Sequence, residues 1–315
     1  MTFSCPACNF TSGTPAVEFG SRSVVACGRC GLLSTSPPLD DETRRRRYDT
    51  YYSDERAARF TVPIGELAMR WFRRRRARVI ARMLGGVTGK RVLDVGCGRG
   101  YTLHTLKSMG ADVHGTQLSA PAARAAIDLI GADRIFVGEL AEARYPADAF
   151  DCVTLWHVLE HVSRPLETLA EVSRIVTPGG LVYIEVPNAG GWAARTFGAD
   201  WLAYDIEHHV SHFTPATLVA FARRVGLERA RETHWSLEYS PVTLTQTWLN
   251  HTLGGDSTLF RAVSVSSEPN ADKGRVPLPV HALFGVLLLP MAVAVSAALA
   301  AGARGDTVGV YFRKR

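Results

Sequence analysis

The chain has 315 residues, of which 46% are hydrophobic and 21% charged, with a formal net charge of +6. That composition excludes a disordered or fibrous chain and allows one large globular domain with accessory segments. The first residues, MTFSCPACNF, carry no charged segment followed by an apolar one. No secretory leader is expected, and the chain is expected in the cytoplasm.

Four of the six cysteines fall in two pairs, Cys5-x-x-Cys8 and Cys27-x-x-Cys30. Each pair can form a turn that aims two thiolates at one ion, and four sulfurs complete a closed tetrahedron. The expectation for residues 1–36 is a zinc ribbon, with structural Zn²⁺ folding a segment too small to bury its own core. Rubredoxin-like iron and a redox switch are the alternatives. Residues 37–86 follow as a helical N-terminal segment. Its two arginine runs, Arg44 to Arg47 and Arg73 to Arg76, are interleaved with Tyr48, Tyr51, Tyr52, Trp71 and Phe72. Such runs suit a solvated helix face, or an anionic membrane or nucleic acid.

From Arg91 the pattern alternates strands and helices at the spacing of a parallel α/β sheet. The strands expected are Arg91 to Val95, Asp112 to Thr116, Arg134 to Val137, Asp151 to Trp156, Leu181 to Val186 and Leu227 to Trp235. Helices begin at Tyr101, at Pro121 and at Pro165, and Thr214-Pro215 reads as a cap with proline in the first turn. The first strand runs into RVLDVGCGRG, where Asp94 precedes three alternate glycines, Gly96, Gly98 and Gly100. Glycines there permit positive φ and close approach of backbone N–H groups to a ligand. The dinucleotide fingerprint does not fit, because its third glycine would be Tyr101.

With VLD in front, this segment resembles motif I of the class I S-adenosylmethionine (SAM) methyltransferases. FDCVTLWHVLEHV and TPGGLVYIEVPN extend the likeness across residues 87–239. The resemblance implies a Rossmann-like α/β sheet, and it places SAM across the carboxyl ends of the strands. Asp94, Gly96, Cys97, Gly98 and Gly100 would hold its amino-acid part, Gln117 with Leu118 its ribose, and Glu139 with Leu140 its adenine. His157 would lie near the sulfonium. Gln117 stands where the family has an acid.

Methyl transfer to a hydroxyl also needs a group that removes a proton. His157-x-x-Glu160-His161 is similar to the E-x-x-E-H of ubiquinone-pathway O-methyltransferases, positions associated there with a divalent metal. Local hydrogen bonding that shapes the helix is the alternative reading. The second cluster runs from Tyr204 to Pro215. It resembles the HEHxSYFS motif of zinc-ribbon sugar C-methyltransferases: His209, Ser211 and Phe213 fall on its positions and Glu207 supplies an acid. The departures are His208 for the central glutamate and His212 for tyrosine. His209 is the expected general base, with His157, Glu207 and His212 as further catalytic candidates; a lid that only packs over the cofactor is the alternative.

Residues 240–305 read as an insertion before the last strand, Thr307 to Phe312, within 306–315. Ala282 to Ala303 contain no charged residue. As a helix that stretch would reach roughly 33 Å. Lys273, Arg275 and Arg304 flank it, and Pro290 lies near its middle. A helix-break-helix hairpin, dipping into one leaflet or lying on the membrane, is expected. A buried helical pair or a dimer interface is the alternative. The reading is a SAM-dependent O-methyltransferase of a lipid-linked or amphipathic small molecule, peripheral or monotopic at the membrane. The rivals are C-methylation of a nucleotide-linked sugar and, third, RNA methylation. WHVLEH lacks the N-P-P-Y that grips an exocyclic amine, which argues against nucleic acid.

Overall fold

The computed structural model describes residues 3–38, 42–43, 46, 63–254, 257–263 and 276–315. Arg44, Arg45, Arg47, Tyr48, Tyr51, Tyr52, Lys273 and Arg275, singled out in the sequence, lie outside the described residues.

The chain opens with an antiparallel meander of β1 (Gly13–Phe19), β2 (Arg22–Cys27) and β3 (Leu33–Ser36). The turns before β1 and after β2 converge, and the Sγ pairs Cys5–Cys30, Cys8–Cys27 and Cys8–Cys30 are each 3.6 Å apart. Four sulfurs about 2.3 Å from a common ion stand about 3.8 Å from one another, so the cluster fits a zinc ribbon. Cys5, Cys27 and Leu32 share one buried cluster with Phe213, Leu218 and Phe221. The ribbon is therefore packed onto the main body.

Helix α1 (Pro63–Met83) leads into the main sheet. The sheet contains β4 (Arg91–Val95), β5 (Asp112–Gln117), β6 (Ile135–Val137), β7 (Phe150–Trp156), β8 (Val176–Pro187), β10 (Leu227–Thr233) and β11 (Thr307–Lys314). Its order is β10-β11-β8-β7-β4-β5-β6. β11 is antiparallel to both neighbours, with Val308 opposite Val186, while β4 to β8 run parallel. This is the Rossmann-like class I methyltransferase sheet that the sequence implied. The central strands are apolar on both faces, as helix-covered parallel strands must be: Val92, Leu93, Val153, Leu155, Val182 and Ile184 are fully buried.

The covering helices are α2 (Tyr101–Ser108), α3 (Ala120–Ile130), α4 (Pro165–Ile175) and α6 (Pro215–Arg224), with the short α5 (Trp192–Phe197) after β8. Thr214 caps α6 in a capping box with Thr217, and Pro215 occupies the first turn. Between α5 and α6, β9 (Ser211–His212) leaves the main body and joins the ribbon sheet, with His212 opposite Leu33 and Ser211 opposite Ser34.

The insertion holds α7 (Ser240–Leu253), α8 (Thr258–Val263) and α9 (Leu278–Ala301). α9 runs unbroken through Pro290, and this corrects the expected hairpin. The proline removes one N–H, yet the flanking turns are held by packing against α7. A Cβ on Gly285 would come 2.4 Å from Leu259 and 3.8 Å from Leu249. Farther along, Ser296 Oγ accepts from Trp235 Nε1 at 3.1 Å, so α9 runs antiparallel to α7. The stripe turned inward is small or polar, namely His281, Gly285, Ala292 and Ser296. Leu283, Phe284, Val286, Leu287, Leu289 and Met291 face outward.

Candidate active site

The carboxyl ends of β4, β5, β7 and β8 define the site. At the end of β4, Asp94 is 4% exposed and accepts a 2.6 Å hydrogen bond from Thr154 Oγ1 on β7. Burial raises its carboxyl to about pH 6, against the pull of Thr154, Arg76 and Arg73. An acid held this way is ready for a cationic ligand. Gly96 has φ +66°, and a Cβ there would lie 2.6 Å from Val158 Cγ2. Gly100, at φ +74°, begins α2, and a Cβ would press on Ala126 and Ile130 at 3.2 Å. Around Gly98 nothing lies within 4 Å of the Cβ position, so the turn is open where a ligand would approach. Cys97 points away, its Sγ beside Gly115 of β5, and burial pushes its thiol up. Its N–H donates to Thr116 O at 3.0 Å.

Gln117 is buried at the end of β5, and its Oε1 accepts from the N–H of Leu118 at 2.8 Å. Glu139 is exposed just past β6 and begins a short 3₁₀ turn, Leu140–Ala143, in which its N–H donates to the Glu142 carboxylate at 2.7 Å. Leu140 is buried beneath it.

His157 follows β7 with φ +53°. Its Nδ1 is 3.2 Å from Glu160 and its Nε2 3.2 Å from Glu185 of β8, the latter a charge contact without hydrogen-bond alignment. Burial alone would lower the imidazole, but the two carboxylates raise it to about 10. Both ring nitrogens face carboxylates, which favours the imidazolium form and turns His157 away from the role of a base. Tyr239 stacks on it at 3.9 Å between ring centres.

The sequence reading did not bring Glu238 and Tyr239, or the inward turn of Arg73 and Arg76, to this site. Glu238 takes Arg73 at 2.8 Å and Arg76 at 2.6 Å, tying α1 to the connection before α7. Arg76 also lies 4.3 Å over the Trp156 ring. Burial raises the Tyr239 phenol and Glu238 adds to that, yet Arg73, Arg76 and His157 bring it down to about 8. The available signal was the i, i+3 spacing of Arg73 and Arg76, which turns both to one side while Arg74 and Arg75 stay exposed.

The second cluster lies beside the first. The N–H groups of Val210 and Ser211 donate to Glu160 O at 2.8 and 3.0 Å. The His161 and His209 rings are 4.6 Å apart. Nδ1 of His209 is 2.9 Å from Ala203 O. A carbonyl can only accept, so Nδ1 carries a hydrogen, and the neutral ring in this orientation has its lone pair on Nε2. His212 stands apart from them: buried, its Nε2 is 3.0 Å from Thr35 Oγ1 of the ribbon, and burial depresses it to about 3. Glu207 is half-exposed and pairs with Arg22 of the ribbon at 3.5 Å, and His208 contacts Asp205 at 2.8 Å. Thr35 also donates to His209 O at 2.7 Å. His209 is thus brought to Glu160 and His161, while Glu207 and His212 are drawn to the ribbon joint.

The methyltransferase domain family matches residues 69–231, more than half of the chain. The chain is a SAM-dependent methyltransferase. A ubiquinone biosynthesis O-methyltransferase from Ralstonia nicotianae is 34% identical to it over 169 residues, covering 50% of this chain and 70% of the relative. One from Escherichia coli O127:H6 is 33% identical over 178 residues, covering 53% and 73%. Among solved structures, a protein described as a sarcosine dimethylglycine methyltransferase from Galdieria sulphuraria superposes with TM-score 0.51 at 18% identity, covering 87% of this methyltransferase and 98% of that chain. The likeness of that structure is one of fold.

Proposed function

We propose that this methyltransferase moves the SAM methyl group to a hydroxyl of an amphipathic or lipid-linked small molecule. The observation that carries the reading is α9. Its outward face is wholly apolar, and its end is fastened to the loop after β8: Arg304 O accepts from Trp192 N–H at 2.9 Å and Gly305 O from Asn188 Nδ2 at 2.8 Å. An apolar surface of this size marks an interaction site. The segment after the C-terminus of α9 thus meets the loop that follows the carboxyl end of β8. O-methylation is also what the two curated relatives are named for.

In this reading Asp94 and the turn Gly96 to Gly100 hold the cofactor's amino-acid part. Gln117 with Leu118 receives the ribose and Glu139 with Leu140 the adenine. The acceptor hydroxyl is directed to Glu160, His161 and His209, and His209 serves loss of its proton. Cys5, Cys8, Cys27 and Cys30 hold structural zinc, which has no open position for chemistry.

The test incubates the protein with labelled SAM and separated lipid, nucleotide-sugar and RNA fractions. Label in the lipid fraction, reduced at least tenfold by His209→Ala, is the expected result. Label confined to the sugar or RNA fraction overturns the acceptor class.

A further inference from the structure

Residues 204–212 carry the histidine that the function proposed above turns toward the acceptor, and the ribbon grips this stretch near both of its ends. We propose that the ribbon is the template of the acceptor site, with Arg22, the first residue of β2, as a positioning residue for the stretch that bears His209. The inference rests on the reading that this stretch meets the acceptor, and it adds what holds the stretch in place.

The stretch has little regular structure of its own. β9 supplies only two residues of strand, Ser211 and His212, so its backbone must be ordered by partners elsewhere in the chain. One grip comes from the turn between β1 and β2. Arg22 Nη1 donates to Ile206 O at 3.1 Å and lies 3.5 Å from Glu207 Oε1, with the arginine side chain 17% exposed. A guanidinium can hold a carbonyl and a carboxylate at once, and its bonds to them are stronger than neutral ones. Phe19 meets the Tyr204 ring edge to face, with ring centres 5.8 Å apart. The other grip is β3, where the Thr35 N–H donates to Val210 O at 3.1 Å and its hydroxyl to His209 O at 2.7 Å.

The opposite side of the stretch rests on the loop after β7. Glu160 O accepts from Val210 and Ser211, and His208 O is 3.1 Å from His161 Nδ1. His209 is therefore held between the ribbon and the sheet. The cofactor residues are held from within the sheet, Asp94 by Thr154 and Cys97 by Thr116 O. Loosening the ribbon's grip should thus disturb the acceptor and leave SAM alone. A displacement of about 1 Å at a reacting group can cost about 100-fold.

The experiment compares full-length Arg22→Ala and Arg22→Lys with the wild type. In Arg22→Ala, amide exchange read by mass spectrometry should quicken at least tenfold in peptides covering 204–212 and stay unchanged in those covering 91–100. Zinc content and circular dichroism should match the wild type, and SAM affinity should stay within twofold. The apparent KM for whichever separated fraction takes label from SAM should rise at least tenfold. Arg22→Lys keeps a cationic donor and should return both readings to within threefold of the wild type. The proposal is overturned if exchange over 204–212 is unchanged in Arg22→Ala, if 91–100 loosens equally, if SAM affinity falls as far as acceptor affinity, or if the apparent KM stays at the wild-type value. Amide exchange needs no acceptor. Label confined to the sugar or RNA fraction would overturn the acceptor class and leave this inference standing, while unchanged exchange would overturn this inference whichever fraction takes label.

Discussion

Replacing Asp94 by asparagine should strengthen the ligand-free fold and weaken cofactor binding, two opposite effects from one substitution. Asp94 is buried and its carboxyl sits near pH 6 instead of 3.8, mainly because burial disfavours the charge. A shift of about two units corresponds to about 3 kcal/mol. The folded state holds the proton more tightly than the unfolded chain, so stability falls as pH rises from 3.8 through about 6 and stays lower above it. Asparagine carries no charge and can still accept from Thr154. It should recover up to about 3 kcal/mol at pH 7.5, read as a thermal midpoint several degrees higher, and it should flatten the pH dependence. SAM offers an α-ammonium and a sulfonium, which make the ionised carboxylate favourable. Wild-type affinity should fall as pH drops below about 6, whereas the variant should bind about 100-fold more weakly at pH 7.5 with little pH dependence, so the gap narrows toward pH 5. Calorimetry with SAM from pH 5 to 8, alongside thermal melts, provides both readings. A variant that binds SAM as well as the wild type, or a wild-type affinity flat across that range, would refute the argument.

At Gly96 the positive φ and the 2.6 Å approach of Val158 Cγ2 leave no room for a side chain, so Gly96→Ala should lose about 1–3 kcal/mol by thermal melt and weaken SAM binding in calorimetry. Thr35→Val removes the hydroxyl that holds His209 O and His212 Nε2. Turnover should fall at least tenfold while SAM affinity stays within twofold and zinc content is unchanged, and Thr35→Ser should restore the rate. On α9, Val286 and Leu287 are 71% and 64% exposed. Changing both to glutamate should alter stability by less than about 1 kcal/mol but abolish co-flotation with anionic liposomes.

The sheet was legible because β4, β7 and β8 carry apolar runs, with Gly96 ending the first and Pro187-Asn188 closing the last. α9 was misjudged at Pro290, since a break is what proline causes in an isolated helix, and the packing of Gly285 and Ser296 on distant residues could not be read locally. The arginines of α1 looked like a solvated run, and only the fold reveals that Glu238 turns Arg73 and Arg76 inward. The histidine cluster was visible as a cluster, but its division was not. His212 belongs to the ribbon because Thr35, 177 residues earlier in the chain, pairs with it, and His209 belongs to the site because Ala203 and Glu160 hold it there.

His157 shows why a substituted motif residue need not be a lost function. Glu160 and Glu185 are 1% and 5% exposed, and buried acids this close require a cation. The imidazolium supplies it from between them, which lowers Glu160 to about 2 although burial opposes ionisation. His157→Gln keeps the size and hydrogen-bonding capacity but removes the charge, so it should cost about 3–5 kcal/mol in denaturant unfolding. Adding Glu185→Gln removes one of the two acids and preserves acceptance from Tyr183, which donates to Glu185 Oε2 at 2.7 Å. The double variant should therefore be more stable than His157→Gln alone, a non-additivity that loss of packing would not produce. If His157→Gln unfolds within about 0.5 kcal/mol of the wild type, or the second change only adds to the loss, residue 157 is not the internal counter-ion of these carboxylates.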